Sequence, residues 1–166
     1  MVNEILAKLN MNEKIIGGGA VAILVGWILG IVLTGISAFG VTGAGSWYGS
    51  SGAQGTGIIA LLAGIAAVVV IYLKYAPNMK IAWPAPIPMI LLVIAAIAAI
   101  AGLLGLFQAF TYDPFAGLCT GLLSSACGAL PSKPITLYVA ALLVLAGGGA
   151  MAYGAYMEYT ANKTAV

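Results

Sequence analysis

The chain has 166 residues, of which 63% are hydrophobic and 6% are charged, and its formal net charge is +2. Together with a mean hydropathy of +1.12, this composition excludes a soluble globular domain and indicates an integral membrane protein. The basic residues are single lysines at the ends of apolar runs, so the clustered basic face that nucleic-acid binding requires is missing.

The first 14 residues precede the apolar part of the chain. Within them Val2, Ile5, Leu6 and Leu9 recur at helical spacing, opposite a polar side. This pattern predicts a short amphipathic segment at residues 1–14 that lies in the membrane interface. A frayed polar tail is the alternative, because the segment covers barely three turns.

Four apolar stretches follow, at residues 15–39, 57–73, 87–110 and 135–157. At a rise of ~1.5 Å per residue they match a hydrocarbon core of ~30 Å. The short second stretch can be extended by Lys74, whose ammonium can reach the interface. Because the stretches lack the alternation of barrel strands, we expect an all-α membrane protein. Residues 15–166 are predicted to form one domain, an up-down bundle of four transmembrane helices with two outer loops.

The first stretch has a small residue at every fourth position. In lipid, helices associate by close backbone approach, which small side chains allow. The row therefore predicts a helix-packing interface, with a GxxxG pair at its centre, and we expect it to meet a neighbouring protomer or another membrane subunit. Packing inside the bundle is the alternative. The row consists of Gly18, Ala22, Gly26, Gly30, Thr34 and Ala38.

The outer loop from Gly40 to Thr56 is rich in Gly and Ser and uncharged, with one aromatic pair, Trp47 and Tyr48. Such a segment cannot bury enough apolar surface to fold alone. The aromatic pair is interpreted as an interfacial anchor. A binding role for the loop is the alternative.

The second outer loop contains both cysteines of the chain, Cys119 and Cys127. An even number of cysteines on an outer face favours a disulfide between them. A continuous helix through both residues would hold their Cα atoms ~12 Å apart, too far to bond. The glycines and prolines of this loop argue against such a helix, and two free thiols in a helical cap are the alternative.

Near the end of the fourth stretch, Tyr153, Tyr156 and Tyr159 form a row. An interfacial tyrosine belt explains such a row, and these residues are possible contacts for lipid headgroups. A pocket for a lipid or quinone headgroup is the sharper alternative, and it requires the phenols to converge.

The chain has no histidine, and its four acidic residues lie at the ends of segments. We therefore expect no catalytic, cofactor-binding or metal-binding site, and no cofactor. No ionisable group is expected inside the membrane unless Lys74 or Glu158 turns inward.

Lysines at both termini and between the second and third stretches predict that both termini are cytoplasmic. The leading hypothesis is a non-enzymatic structural or accessory membrane protein that contacts the lipid bilayer and packs into a homo-oligomer or a larger membrane complex. The alternative is a small pore or carrier for an uncharged solute or lipid. A continuous polar lining would favour that alternative.

Overall fold

The computed structural model describes residues 8–32, 36–38, 41–43, 54–75, 82–111 and 135–163. These residues form four long helices, which we number α1 (Met11–Val32), α2 (Gln54–Tyr75), α3 (Ile87–Thr111) and α4 (Ile135–Lys163). Each is long and apolar enough to cross a membrane. The prediction of an all-α membrane protein with four transmembrane helices is confirmed.

Two short strands, β1 (Ile36–Ala38) and β2 (Val41–Gly43), are an addition to the predicted fold. They pair antiparallel, with Ser37 opposite Thr42. The first span was predicted to run to residue 39, but α1 ends at Val32.

The other helix ends also differ from the predicted spans. α1 begins at Met11, so residues 11–14 of the predicted interfacial segment are continuous with the helix of the first span. α4 continues to Lys163 instead of ending at residue 157. Ala161 and Lys163 in this extension favour helix, and the Thr160 hydroxyl donates a hydrogen bond to the Tyr156 carbonyl at 3.0 Å. Val2, Ile5 and Leu6 lie outside the described residues.

The helices form a ring in which each is antiparallel to its neighbours. α1 packs most extensively against α4, and further contacts join α4 to α3, α3 to α2 and α2 to α1. Along the α1–α4 contact, Asn12 lies near Gly154, Gly19 near Gly147 and Gly26 near Ala140. The start of α1, the end of α2 and the end of α4 therefore meet at one end of the bundle, which we call the Glu13 end. We call the opposite end the Thr56 end.

Small side chains bring the backbones of α1 and α4 together. A Cβ atom added to Gly19 would lie 2.5 Å from the Gly147 carbonyl oxygen, and one added to Gly147 would lie 2.5 Å from the Gly19 oxygen. Gly148 of α4 approaches Ala98 of α3 in the same way, at 2.8 Å. Only glycine allows such distances, so these positions fix where the helices cross.

The buried positions repeat with alternating steps of four and three residues. This is the spacing of a left-handed coiled-coil seam, in which the same side of each helix keeps facing its partner. The seam of α1 contains Ile16, Gly19, Ile23, Gly26 and Gly30. That of α4 contains Ala140, Val144, Gly147, Met151, Gly154 and Glu158. The core of the bundle is therefore built mainly from Gly, Ala and single larger aliphatic side chains.

Candidate functional site

A polar cluster closes the Glu13 end of the bundle. Its centre is Glu13, which is only 1% exposed. The backbone N–H of Glu13 donates to Asn10 Oδ1 at 2.8 Å, and the backbone N–H of Asn10 donates to Glu13 Oε2 at 3.0 Å. This reciprocal pair is a capping box with asparagine as the N-cap. It explains why α1 begins at Met11.

The end of α2 supplies two further donors to the same carboxylate. Lys74 Nζ lies 2.6 Å from Glu13 Oε1, and the Tyr75 hydroxyl donates to Glu13 Oε2 at 2.7 Å. Both oxygens of this buried carboxylate therefore have partners, as a charge removed from water requires. The Lys74 side chain remains 28% exposed, so its ammonium joins the buried carboxylate to the membrane boundary.

The end of α4 completes the cluster through Glu158, which is 5% exposed. Its Oε2 accepts a hydrogen bond from Asn10 Nδ2 at 2.8 Å, and its Oε1 lies 3.5 Å from Lys74 Nζ. Asn162, one turn later on α4, donates from Nδ2 to the Glu158 backbone carbonyl at 2.8 Å. The cluster thus connects three helix ends that are far apart in the sequence.

In chemical terms, the cluster consists of the Glu13 and Glu158 carboxylates, whose oxygens accept hydrogen bonds from neighbouring side chains. Within the described part of the chain, no group of three or more His, Cys, Asp or Glu side chains could hold a metal ion. Lys74 and Glu158 are the residues that the sequence indicates could turn inward, and Glu158 is buried while Lys74 reaches into the bundle. The residue that this expectation missed is Glu13. The Asn10-x-x-Glu13 spacing was the available sequence signal, since it is a capping-box pattern.

A smaller polar contact lies at the Thr56 end. The Thr56 hydroxyl of α2 donates to Gln108 Oε1 of α3 at 3.2 Å, and the rings of Phe110 and Tyr138 stack with centroids 5.2 Å apart. Glu13, Thr56 and Glu158 are the buried polar or charged residues among those described. Between the two ends, the described interior is apolar except for the buried Trp27 Nε1, which has no hydrogen-bond partner among the described residues.

The small residues of the row predicted on α1 differ in burial. Gly26 and Gly30 are buried, Ala22 is half-buried and Gly18 is exposed with nothing within 4 Å of an added Cβ. The partner at Gly26 is α4 of the same chain, because an added Cβ would lie 2.9 Å from the Ala140 carbonyl oxygen. A second chain cannot occupy that place, so at Gly26 the expectation of a neighbouring protomer is replaced by packing inside the bundle.

Helix geometry explains the division. A step of four residues turns by about 40° beyond one full turn, so the three steps from Gly18 to Gly30 rotate the row by about 120°. Such a row crosses from one face to another, whereas the observed seam alternates between steps of four and three. The last residue of the row, Ala38, lies in strand β1 and not in a helix. Thr34 lies outside the described residues.

The three predicted tyrosines are distributed over the surface of α4. Tyr153 and Tyr156 are 59% and 56% exposed, and Tyr159 is half-buried. Tyr153 and Tyr156 therefore face outward rather than converging on an internal pocket, as in an interfacial belt. Their contact with lipid headgroups stays a prediction. Cys119, Cys127, Trp47 and Tyr48 lie outside the described residues.

Comparisons of the chain with protein-family models, curated proteins and solved structures give no match. The four apolar helices identify an integral membrane protein.

Proposed function

We propose that the protein is a non-enzymatic structural or accessory subunit that packs, through one small-residue face, against a second copy of itself or another membrane protein. The observation that carries the proposal is the exposure of small residues on α1 and α4. In lipid, such positions favour contact between helices, because they let two backbones approach.

The exposed side of α1 is identified by three consecutive residues. Gly19 faces α4, and Ala20 faces α2, where an added Cβ on Gly64 would lie 3.6 Å from it. At about 100° per residue, Gly18 lies on the opposite flank from Ala20. Gly18 is therefore on the side of α1 that points away from α2, next to the outer edge of the α1–α4 contact.

The same argument applies to α4. Gly147 faces α1 and Gly148 faces α3, so Ala146 lies on the flank that points away from α3. The two flanks belong to one surface, because α1 and α4 are adjacent in the ring. We call this surface the outer α1–α4 face. It contains Gly18, Ala22, Ala146 and Ala150, each exposed or half-buried.

The exposed side chains on the lipid-facing side of α2 are large. Its exposed residues between positions 58 and 69 are all Ile, Leu or Val, namely Ile58, Ile59, Leu62, Ile65, Val68 and Val69. Bulky aliphatic side chains suit contact with acyl chains, whereas an exposed glycine leaves room for a second helix. The outer α1–α4 face exposes large side chains as well, among them Val25, Leu142 and Tyr153, but it also exposes Gly18 and Ala146. These small residues support it as the site of assembly.

The alternative of a pore or carrier for an uncharged solute requires a polar path through the protein. The buried polar residues of the described chain lie at the two ends of the bundle, and small apolar residues fill the part between them. This arrangement supports the assembly hypothesis. The predicted cytoplasmic location of the Glu13 end remains part of the proposal.

The native mass of purified protein in mild detergent tests the proposal. We expect wild type to be larger than a monomer, and Gly18→Leu and Ala146→Leu to shift it toward the monomer while helicity stays unchanged. Ala96→Leu is the matched control, because Ala96 is an exposed alanine on α3, outside the outer α1–α4 face. A monomeric wild type, or equal masses for all variants, would contradict the proposal.

A further inference from the structure

A groove separates α1 and α2 on the lipid-facing side of the bundle. It encloses about 290 Å³, close to the ~300 Å³ at which small-molecule sites begin. Ala20, Val21 and Leu24 line it from α1, and Gly64, Ile65 and Val68 line it from α2. Val21 is 58% exposed and Ile65 is 50% exposed, so the groove opens sideways toward the membrane.

Two polar side chains lie beyond the groove toward the Glu13 end, one on each of the helices that line it. On α1, Gly17 has nothing within 4 Å of an added Cβ, and Lys14 lies one turn before it. On α2, Tyr72 follows Val68 at a spacing of four residues and is 50% exposed. Because Ala20 lies beside Gly64 and Glu13 reaches Lys74, the antiparallel register places Lys14 level with Tyr72.

The ammonium of Lys14 is available to a ligand. Lys14 is exposed, and the ion pairs formed by the described residues join Lys74 to Glu13 and Glu158 and do not include it. The nearby Glu13 carboxylate already has Lys74 as its partner. The mouth of the groove therefore combines a free cation with a phenol hydroxyl above an apolar channel.

We propose that this groove binds an acyl chain of an anionic phospholipid, whose phosphate contacts the Lys14 ammonium and the Tyr72 hydroxyl. The channel matches the apolar chain, and the charge at its mouth is opposite to that of the headgroup. The groove lies between α1 and α2 and is therefore separate from the outer α1–α4 face, whereas Lys14, one turn before Gly18, lies at the border between the two surfaces.

Lipid retention by the purified full-length protein tests this site. Phosphatidylglycerol and phosphatidylcholine are titrated separately and bound lipid is counted by native mass spectrometry. We expect Lys14→Gln to weaken phosphatidylglycerol binding about fivefold, as one lysine near an anionic surface implies, and to weaken phosphatidylcholine binding less, because the choline cation already balances the charge of that lipid's phosphate. Val68→Phe should fill the groove and weaken the binding of both lipids.

Two variants serve as matched controls. Lys163→Gln removes an exposed lysine from α4 at the same end, and Val93→Phe enlarges an exposed valine on α3; both should bind lipid like wild type. Lys14→Gln and Lys163→Gln with equal phosphatidylglycerol affinities would overturn the headgroup contact. Val68→Phe and Val93→Phe with equal lipid retention would overturn the groove as the site.

Discussion

At the scale of single residues, Glu13 has two structural roles. Its carboxylate caps α1 through Asn10, and it also receives Lys74 and Tyr75 from the end of α2. The start of α1 is therefore linked to the position of α2. The cap could be predicted from the residue spacing in the sequence. The ion pair could not, because a charged side chain near the end of a segment can point either into water or toward a partner, and only the fold decides which.

The Glu13–Lys74 pair is expected to stabilise the bundle. Glu13→Gln should lower the free energy of unfolding by about 2 kcal/mol. This is less than the ~3–5 kcal/mol for breaking a fully buried pair, because the partly exposed Lys74 can turn toward water. Unfolding in mixed detergent micelles measures the change, with Lys163→Gln as the control.

A double-mutant cycle with Lys74→Met then isolates the interaction between the two side chains. The double variant should be more stable than the sum of the two single changes predicts, because it removes both charges of the pair, whereas each single change leaves one of them without the other. Strictly additive changes would mean that the two side chains do not interact.

At the scale of helices, composition and length sufficed to predict four spans, because hydrocarbon thickness sets how many apolar residues a crossing needs. The contact faces were harder to predict. Gly and Ala occur all around α1 and α4, so a row at steps of four, such as Gly18 to Gly30, can be traced without being a contact surface. Gly19 lies outside that row, yet it makes the closest approach to α4. This is seen only when the position of α4 is known.

Substitutions at the adjacent residues Gly18 and Gly19 test which of the two lies at the contact between α1 and α4. Gly19→Ala should destabilise the monomer by about 1–3 kcal/mol, because its methyl group would overlap the Gly147 carbonyl and force the helices apart. Gly18→Ala adds the same methyl group in open space, so it should leave stability unchanged or raise it by up to ~1 kcal/mol through helix propensity. Unfolding in mixed micelles compares them, and equal effects would contradict the observed packing.

At the scale of the whole molecule, the antiparallel ring places the beginning of α1 and the end of α4 on the same side of the membrane. The positions of the lysines predict that this side is cytoplasmic. Maleimide labelling of single cysteines, introduced into a cysteine-free background in intact cells, tests the orientation. A cysteine at Ser50 should react from outside and one at Asn78 should not. External labelling at Asn78 would reverse the predicted topology.

If the outer α1–α4 face meets another protein in the native membrane, oxidative crosslinking should detect the contact. In a cysteine-free background, Ala146→Cys and Gly18→Cys place thiols on that face, and Leu62→Cys places one on the lipid-facing side of α2. We predict that mild oxidation crosslinks the first two variants to a second copy of the chain or to one defined membrane partner, and leaves Leu62→Cys monomeric. Equal crosslinking of all three variants, or no crosslinking at Ala146 and Gly18, would contradict the account.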